Sequence, residues 1–245
     1  MEQTYIQRND VADVQRIFIQ KVYTWMTGAL ILTAVTAYFL GLRFDEALSA
    51  AEASGMDPQS AIDSVIPGSW MMFSIIAQFG LVIALSAAIN KMSSTTAFVL
   101  FLVYSILTGV TFSTLSLVYT GDSIALTFFV TAGTFAVMSI YGMTTKRDLT
   151  KMRSLLFMAL IGLIIASVAN MFFASSMLYW AITYAGILIF VGLIAYDTQK
   201  IKTMSTQFTD AESHNKGAIL GALTLYLDFI NLFLYLLRLF GDRRN

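Results

Sequence analysis

Seven separate runs of about twenty apolar residues divide this chain, and each is long enough for an α-helix to cross a hydrocarbon core of about 30 Å. They fall at 22–42, 69–89, 97–119, 124–143, 155–174, 178–199 and 216–240. The pattern predicts an all-α membrane protein, a bundle of seven transmembrane helices forming a single transmembrane domain over residues 1–245. Polar connections are short except at 43–68, an acidic loop with both prolines, and at 200–215, a stretch rich in Lys, Thr and Ser.

Charged residues make up only 12% of the chain, about half the share in a soluble protein, and the deficit runs along its whole length. Zero formal net charge and an isoelectric point near 6.6 give no nucleic-acid footprint. The absence of cysteine excludes disulfides and thiolate metal sites. The one histidine, His214, lies in the polar stretch before the last span and reads as a solvated loop residue. Glu2, Arg8, Asp10, Asp13 and Arg16 make the first twenty residues too polar for a cleavable signal peptide.

Lys and Arg set the expected orientation. With a cytoplasmic N-terminus, Arg8, Arg16, Lys21, Lys91, Lys146, Arg147, Lys151, Arg153, Lys200 and Lys202 all fall inside, and only Arg43 falls outside before the last helix. Arg238, Arg243 and Arg244 break the bias if the last helix crosses, and obey it if that helix is re-entrant. Trp25, Trp70 and Trp180 near helix starts read as interface anchors.

Against this background two aspartates stand out. A carboxylate in hydrocarbon costs roughly 2.5–3.5 kcal/mol on insertion scales, which makes an intramembrane acid a functional candidate. Asp228 lies deep in the last span, on a stripe of Gly217, Gly221, Thr224, Asp228, Asn231, Tyr235 and Arg238 whose steps of four and three share one helix face. Asp197 lies near the end of the preceding span, and the two helices run antiparallel. If the sixth span continues to about Met204, Asp197 lies roughly 10 Å inside the same face. Gln78, Thr108, Thr111, Thr127, Thr131, Thr134 and Asn170 read as interhelical hydrogen-bonding residues.

Tyr196-Asp197-Thr198-Gln199-Lys200-Ile201, followed by Leu223-Thr224-Leu225-Tyr226-Leu227-Asp228-Phe229-Ile230-Asn231, closely resembles the Bax inhibitor-1 family, specifically its bacterial branch. Tyr141-Gly142-Met143-Thr144-Thr145-Lys146-Arg147-Asp148-Leu149 and Tyr23-Thr24-Trp25-Met26-Thr27-Gly28 resemble it too. The resemblance implies seven helices with the last one central, wrapped by two three-helix layers. It also implies a pH-sensitive calcium leak channel with Asp197 and Asp228 as sensor and ion pathway. It further implies a basic latch or counter-ion on the second helix, for which Lys91 is the nearest match.

The leading expectation is thus a passive calcium pathway gated by a proton shared between two carboxylates. No cofactor is expected to bind tightly. Calcium is the expected permeant ion, and Asp197 and Asp228 would form at most a weak calcium site, since that ion prefers six to eight oxygens. Protons, the lipid bilayer and other membrane proteins are the remaining expected partners, in a bacterial inner membrane. Two other readings compete. One is a non-transporting, stress-protective regulator that binds membrane proteins. The other is an intramembrane aspartyl protease, disfavoured because bulky Leu227 and Phe229 flank Asp228 and no Pro-Ala-Leu element is present. The expectation is a protein that is not an enzyme.

Overall fold

A computed structural model describes residues 2–208 and 210–244, with side chains from residue 13 onward, so Arg8 and Asp10 lie outside the described side chains. Among the described residues are eight α-helices, α1 (Glu2–Ser54), α2 (Pro58–Val65), α3 (Gly68–Ala87), α4 (Ser94–Ser113), α5 (Gly121–Thr144), α6 (Arg153–Phe173), α7 (Ser176–Met204) and α8 (Ala211–Phe240), with three short 3-10 turns at Ile89–Lys91, Thr114–Leu117 and Leu149–Met152. All but α2 are long and apolar enough to cross a membrane, matching the seven expected spans and the all-α class. α8 is the most buried, with 67% of its apolar stretch covered against at most 33% in the other six.

Two connections differ from expectation. The first half of the 43–68 loop is helical, because Ala, Leu and Glu in Asp45–Ser54 favour helix, and α1 runs on to Ser54. The second half holds α2, with Pro58 in its first turn and Asp57 accepting the Ser60 amide at 3.0 Å. The 200–215 loop shrinks to a few residues, since α7 reaches Met204 and α8 begins at Ala211. His214 is therefore a half-buried residue in the first turn of α8, not a loop residue. Asp210 accepts the Ser213 amide at 2.9 Å, which starts that helix and holds the Asp210 carboxyl below the usual carboxylate range.

The chain divides into two compact units. The first comprises residues 21–120, 210–222 and 243–244. Here Gly109 lets α4 approach α1 closely, for a Cβ would lie 2.6 Å from Thr36 Cβ and 2.7 Å from the Thr33 carbonyl. Beside it Thr33 Oγ1 donates to the Ser105 carbonyl at 2.8 Å. Gln78 reaches from α3 to Thr108 at 3.2 Å and Thr111 at 3.4 Å, the interhelical role expected of all three. At one end of α4, Glu212 accepts both the Ser94 amide and hydroxyl at 2.6 Å. At its other end, Arg244 donates its amide to the Val118 carbonyl and pairs with Asp45. The two ends of α8 are thus tied to opposite ends of α4. α8 therefore runs the full length of α4, and residues 243–244 lie at the opposite end of α4 from the start of α8.

The second unit comprises residues 2–20, 121–208 and 223–242. α5 packs on α7 at Gly142, where the bare backbone lies against the Ala195 carbonyl and Thr198. Phe128 and Phe135 of α5 meet Phe229 of α8 with ring centroids 5.3 and 5.6 Å apart. α6 turns into α7 through Ala174, in the left-handed region at φ 46°, and Ser175 caps α7 by accepting the Leu178 amide. Thr131 and Thr134 satisfy themselves on carbonyls of their own helix, and Asn170 accepts the Ser175 amide at the α6–α7 turn. These three are not the interhelical links expected: a threonine hydroxyl in a helix finds a carbonyl one turn back, and the Asn170 oxygen is taken up by the turn that follows its own helix.

Candidate functional site

Three helices of the second unit line a partly open cavity of about 930 Å³. α6 supplies Arg153, Phe157, Leu160, Ile164, Val168 and Met171, a run at steps of four and three that presents one face. α7 supplies Tyr179, Ile182, Phe190, Leu193, Tyr196, Asp197 and Lys200. From α8 come Thr224, Asp228, Asn231, Tyr235 and Arg238, the polar stripe read from the sequence minus its two glycines, together with Leu227.

Asp197 and Asp228 both line this cavity and both are buried, 8% and 5% exposed. Their helices are antiparallel, yet the two residues are not hydrogen-bonded to one another. Asp197 faces Lys200, one turn further along α7, at 4.0 Å, and Arg153 also acts on it electrostatically. Asp228 feels Asp197 and Lys200. Its Oδ2 has no hydrogen-bond partner among the described residues. An unpartnered buried carboxylate oxygen costs several kcal/mol, which packing alone does not explain. Asn231 spends its amide nitrogen on the Leu227 carbonyl at 2.8 Å, leaving its side-chain oxygen one turn from Asp228.

The cavity has two distinct ends. Arg153 and Lys200 mark one. At the other, Arg238 lies over the rings of Tyr235 and Tyr179 at 5.3 and 5.8 Å. Tyr235 in turn lies flat on the bare backbone of Gly186, where a Cβ would come within 2.7 Å of the ring, and stacks on Phe190. The backbone around Asp197 is held from outside the cavity. Gln199 donates to the Arg147 carbonyl at 2.9 Å and accepts the Leu149 amide at 2.8 Å, while Lys202 donates to the Met143 carbonyl at 2.8 Å. In that connection, hydrogen bonds from the Thr150 hydroxyl and amide hold the Asp148 carboxyl below the usual carboxylate range.

Of the residues expected at the site, the structure gathers Asp197 and Asp228 in one cavity. Lys91 is exposed in a 3-10 turn of the other unit and makes no ion pair among the described residues. The sequence reading missed the gathering of Arg153 and Lys200 beside Asp197. Lys200 was detectable, three residues after Asp197 on one helix face. Arg153 carries no such local signal. Among the described residues no three His, Asp or Glu side chains come together as a metal site.

Seven apolar helices and a cavity holding two buried carboxylates define a multi-pass integral membrane protein. A family model described as "Inhibitor of apoptosis-promoting Bax1" matches residues 15–245, and the chain belongs to this Bax inhibitor-1 family. It is 49% identical over 229 residues to "Inner membrane protein YbhL" of Escherichia coli K12, covering 93% of this chain and 92% of that protein. It is similarly 48% identical over 235 residues to a protein of Borreliella burgdorferi, covering 95% and 94% of the two chains. A Rickettsia prowazekii protein is 44% identical over 230 residues, covering 94% and 91%.

Proposed function

We propose that the protein is a passive, proton-controlled pathway for calcium, in which Asp197 and Asp228 act together. The observation that carries this reading is the buried Asp228 Oδ2 without a protein partner, in the same cavity as a second carboxylate. Two like charges in a dry site do not both ionise cheaply, so the pair would share a proton whose loss or gain changes the local charge by one. With both ionised, the carboxylates, Asn231 and water could lend a passing divalent cation a few oxygens. That is too few to trap it, as a leak requires. Protonation would then favour one of two arrangements of the helices. We further propose that the protein lies in a bacterial inner membrane with its N-terminus in the cytoplasm, from the Lys/Arg bias and from the name of the Escherichia coli relative.

The test is calcium flux into liposomes containing the purified protein, across pH 6–8. The wild type should conduct with a pH-dependent rate. Asp228→Asn, which keeps the shape and removes the charge, should flatten that dependence, as should Asp197→Asn. The double variant should lose little more than either single one, because groups acting as a unit are not additive. An Asp228→Asn protein with the wild-type pH profile rejects the reading and leaves Asp228 as a structural residue. Peptide cleavage without flux would favour the protease instead.

A further inference from the structure

We propose that the cavity also holds one anionic phospholipid from the surrounding bilayer, its phosphate between Arg153 and Lys200 and an acyl chain lying along α6. This inference stands on the cavity itself and requires no calcium flux.

The wall contributed by α6 is apolar and open to the outside. Phe157, Ile164 and Met171 line the cavity yet are 60%, 55% and 82% exposed. In a membrane-spanning chain such residues face hydrocarbon, so the cavity is entered sideways from the acyl chains rather than only from water. From Arg153 to Met171 the helix rises about 27 Å, close to the roughly 30 Å of a hydrocarbon core. A chain lying along this face would therefore keep its headgroup at the interface beside Arg153. The cavity volume of 930 Å³ is at the upper end of the range of about 300–1,000 Å³ for sites that enclose small organic ligands.

Charge identifies the headgroup. At the Arg153 end two cations face a single carboxylate. Lys200 is 4.0 Å from Asp197, and Arg153 has no carboxylate within ion-pair distance among the described residues. The end therefore carries an unmatched positive charge. A guanidinium paired with an ammonium is suited to phosphate, the former through its planar fork and the latter as a point charge. Basic pockets between transmembrane helices hold lipid headgroups by this arrangement. A free phosphate ion would satisfy the cations but leave the apolar wall unused, so the lipid is the occupant the whole cavity fits.

The experiment is native mass spectrometry of the delipidated protein in detergent, titrated with phosphatidylglycerol or with phosphatidylcholine of the same chains. The wild type should retain one phosphatidylglycerol per chain and much less phosphatidylcholine, and inorganic phosphate should not displace the lipid. Arg153→Gln with Lys200→Gln should weaken phosphatidylglycerol retention by about 25-fold, roughly a factor of five for each cation. Arg43→Gln, at an exposed pair with Glu46, should change nothing. Ile164→Trp, which fills the groove without altering charge, should reduce retention of both lipids, and it decides the matter if the double variant does not fold. Overturning results are multiple lipids bound with no headgroup preference, displacement by inorganic phosphate, or unchanged retention in Ile164→Trp or in a folded double variant.

Discussion

Gly133 and Gly142 lie on the same helix, α5, and alanine at the two should act in opposite directions. In a helix interior alanine is better than glycine by about 0.8–1 kcal/mol. At exposed Gly133 a new Cβ meets nothing within 4 Å, so the variant keeps that gain. At Gly142 the Cβ would fall inside contact distance of the Ala195 carbonyl oxygen and 3.0 Å from Thr198 Cβ. The first obstacle is backbone, which cannot rotate away, so α5 and α7 must separate by roughly 1 Å in a close-packed interior. Overpacking of this kind costs about 1–3 kcal/mol, and rigid backbone places it in the upper half of that range. Less the helix gain, Gly142→Ala should destabilise by about 1–2 kcal/mol, so the two variants differ by about 2–3 kcal/mol. For a chain of this size each kcal/mol shifts Tm by about 2–4 °C. Thermal unfolding in one detergent, followed by circular dichroism, should then separate the variants by about 4–12 °C with the wild type between them. If Gly142→Ala melts at or above Gly133→Ala, the close approach of α5 to α7 is not as described. The displaced stretch carries Asp197, so Gly142→Ala should also alter the pH profile of any flux, while Gly133→Ala should not.

Three further expectations follow from the same contacts. Asp148 and Asp210 have folded-state pKa values below the unfolded value of about 3.9, so their contribution to stability is complete above that pH and fades only as pH falls through the lower folded values. Asp148→Asn and Asp210→Asn should therefore leave any pH response between 6 and 8 where it was, and a shifted midpoint in either would refute this. Gln199→Ala strips two hydrogen bonds from the connection between α5 and α6, one part-buried and one exposed, of which the part-buried bond contributes about 1 kcal/mol and the exposed one less. Trypsin should then cut faster after Lys146, Arg147 or Lys151, and unchanged cleavage would show that the clamp is dispensable. A cysteine added after Asn245 should label from the face opposite to the one that labels Ser154→Cys, since α6, α7 and α8 separate them. Labelling of both from one face would mean that α8 does not cross.

The parts of this protein that the sequence exposes are those written in hydrophobicity and spacing. Spans could be drawn because lipid demands continuous apolar helices, and the face of α8 could be read because Thr224, Asp228, Asn231, Tyr235 and Arg238 repeat at helical intervals. Helix ends beyond the bilayer were invisible for the opposite reason. Asp45–Ser54 and Ala211–Asn215 are polar helix, and hydropathy does not distinguish polar helix from loop. The tail was ambiguous because its charges argue for one side and its crossing number for the other; the Arg244 contacts with Asp45 and Val118 put it at the opposite end of α4 from the start of α8. Arg153 entered the sequence reading only as a charge that orients the chain. Its place in the cavity depends on how α6 packs on α7, and no local pattern around residue 153 encodes that.

The charges around the cavity bear on how the calcium and lipid proposals fit together. Arg153, Lys200 and Arg238 line the same cavity as Asp197 and Asp228, so with both acids ionised one positive charge remains, and with a shared proton, two. A cation approaching from the Arg153 end would meet that excess first. Lys200 does not cancel it by pairing with Asp197. At 4.0 Å the attraction is about 4 kcal/mol at an effective dielectric of 20 but only about 1 kcal/mol in water, and its half-exposed side chain places it near the lower figure. Arg238 is set apart at the far end over its two tyrosine rings. A lipid phosphate between Arg153 and Lys200 would bring the ionised cavity to neutrality and remove the repulsion at that end, leaving Asp228 as the charge that a cation could reach. The bilayer's anionic headgroups would then govern access to the site, while protons govern whether the site holds a charge.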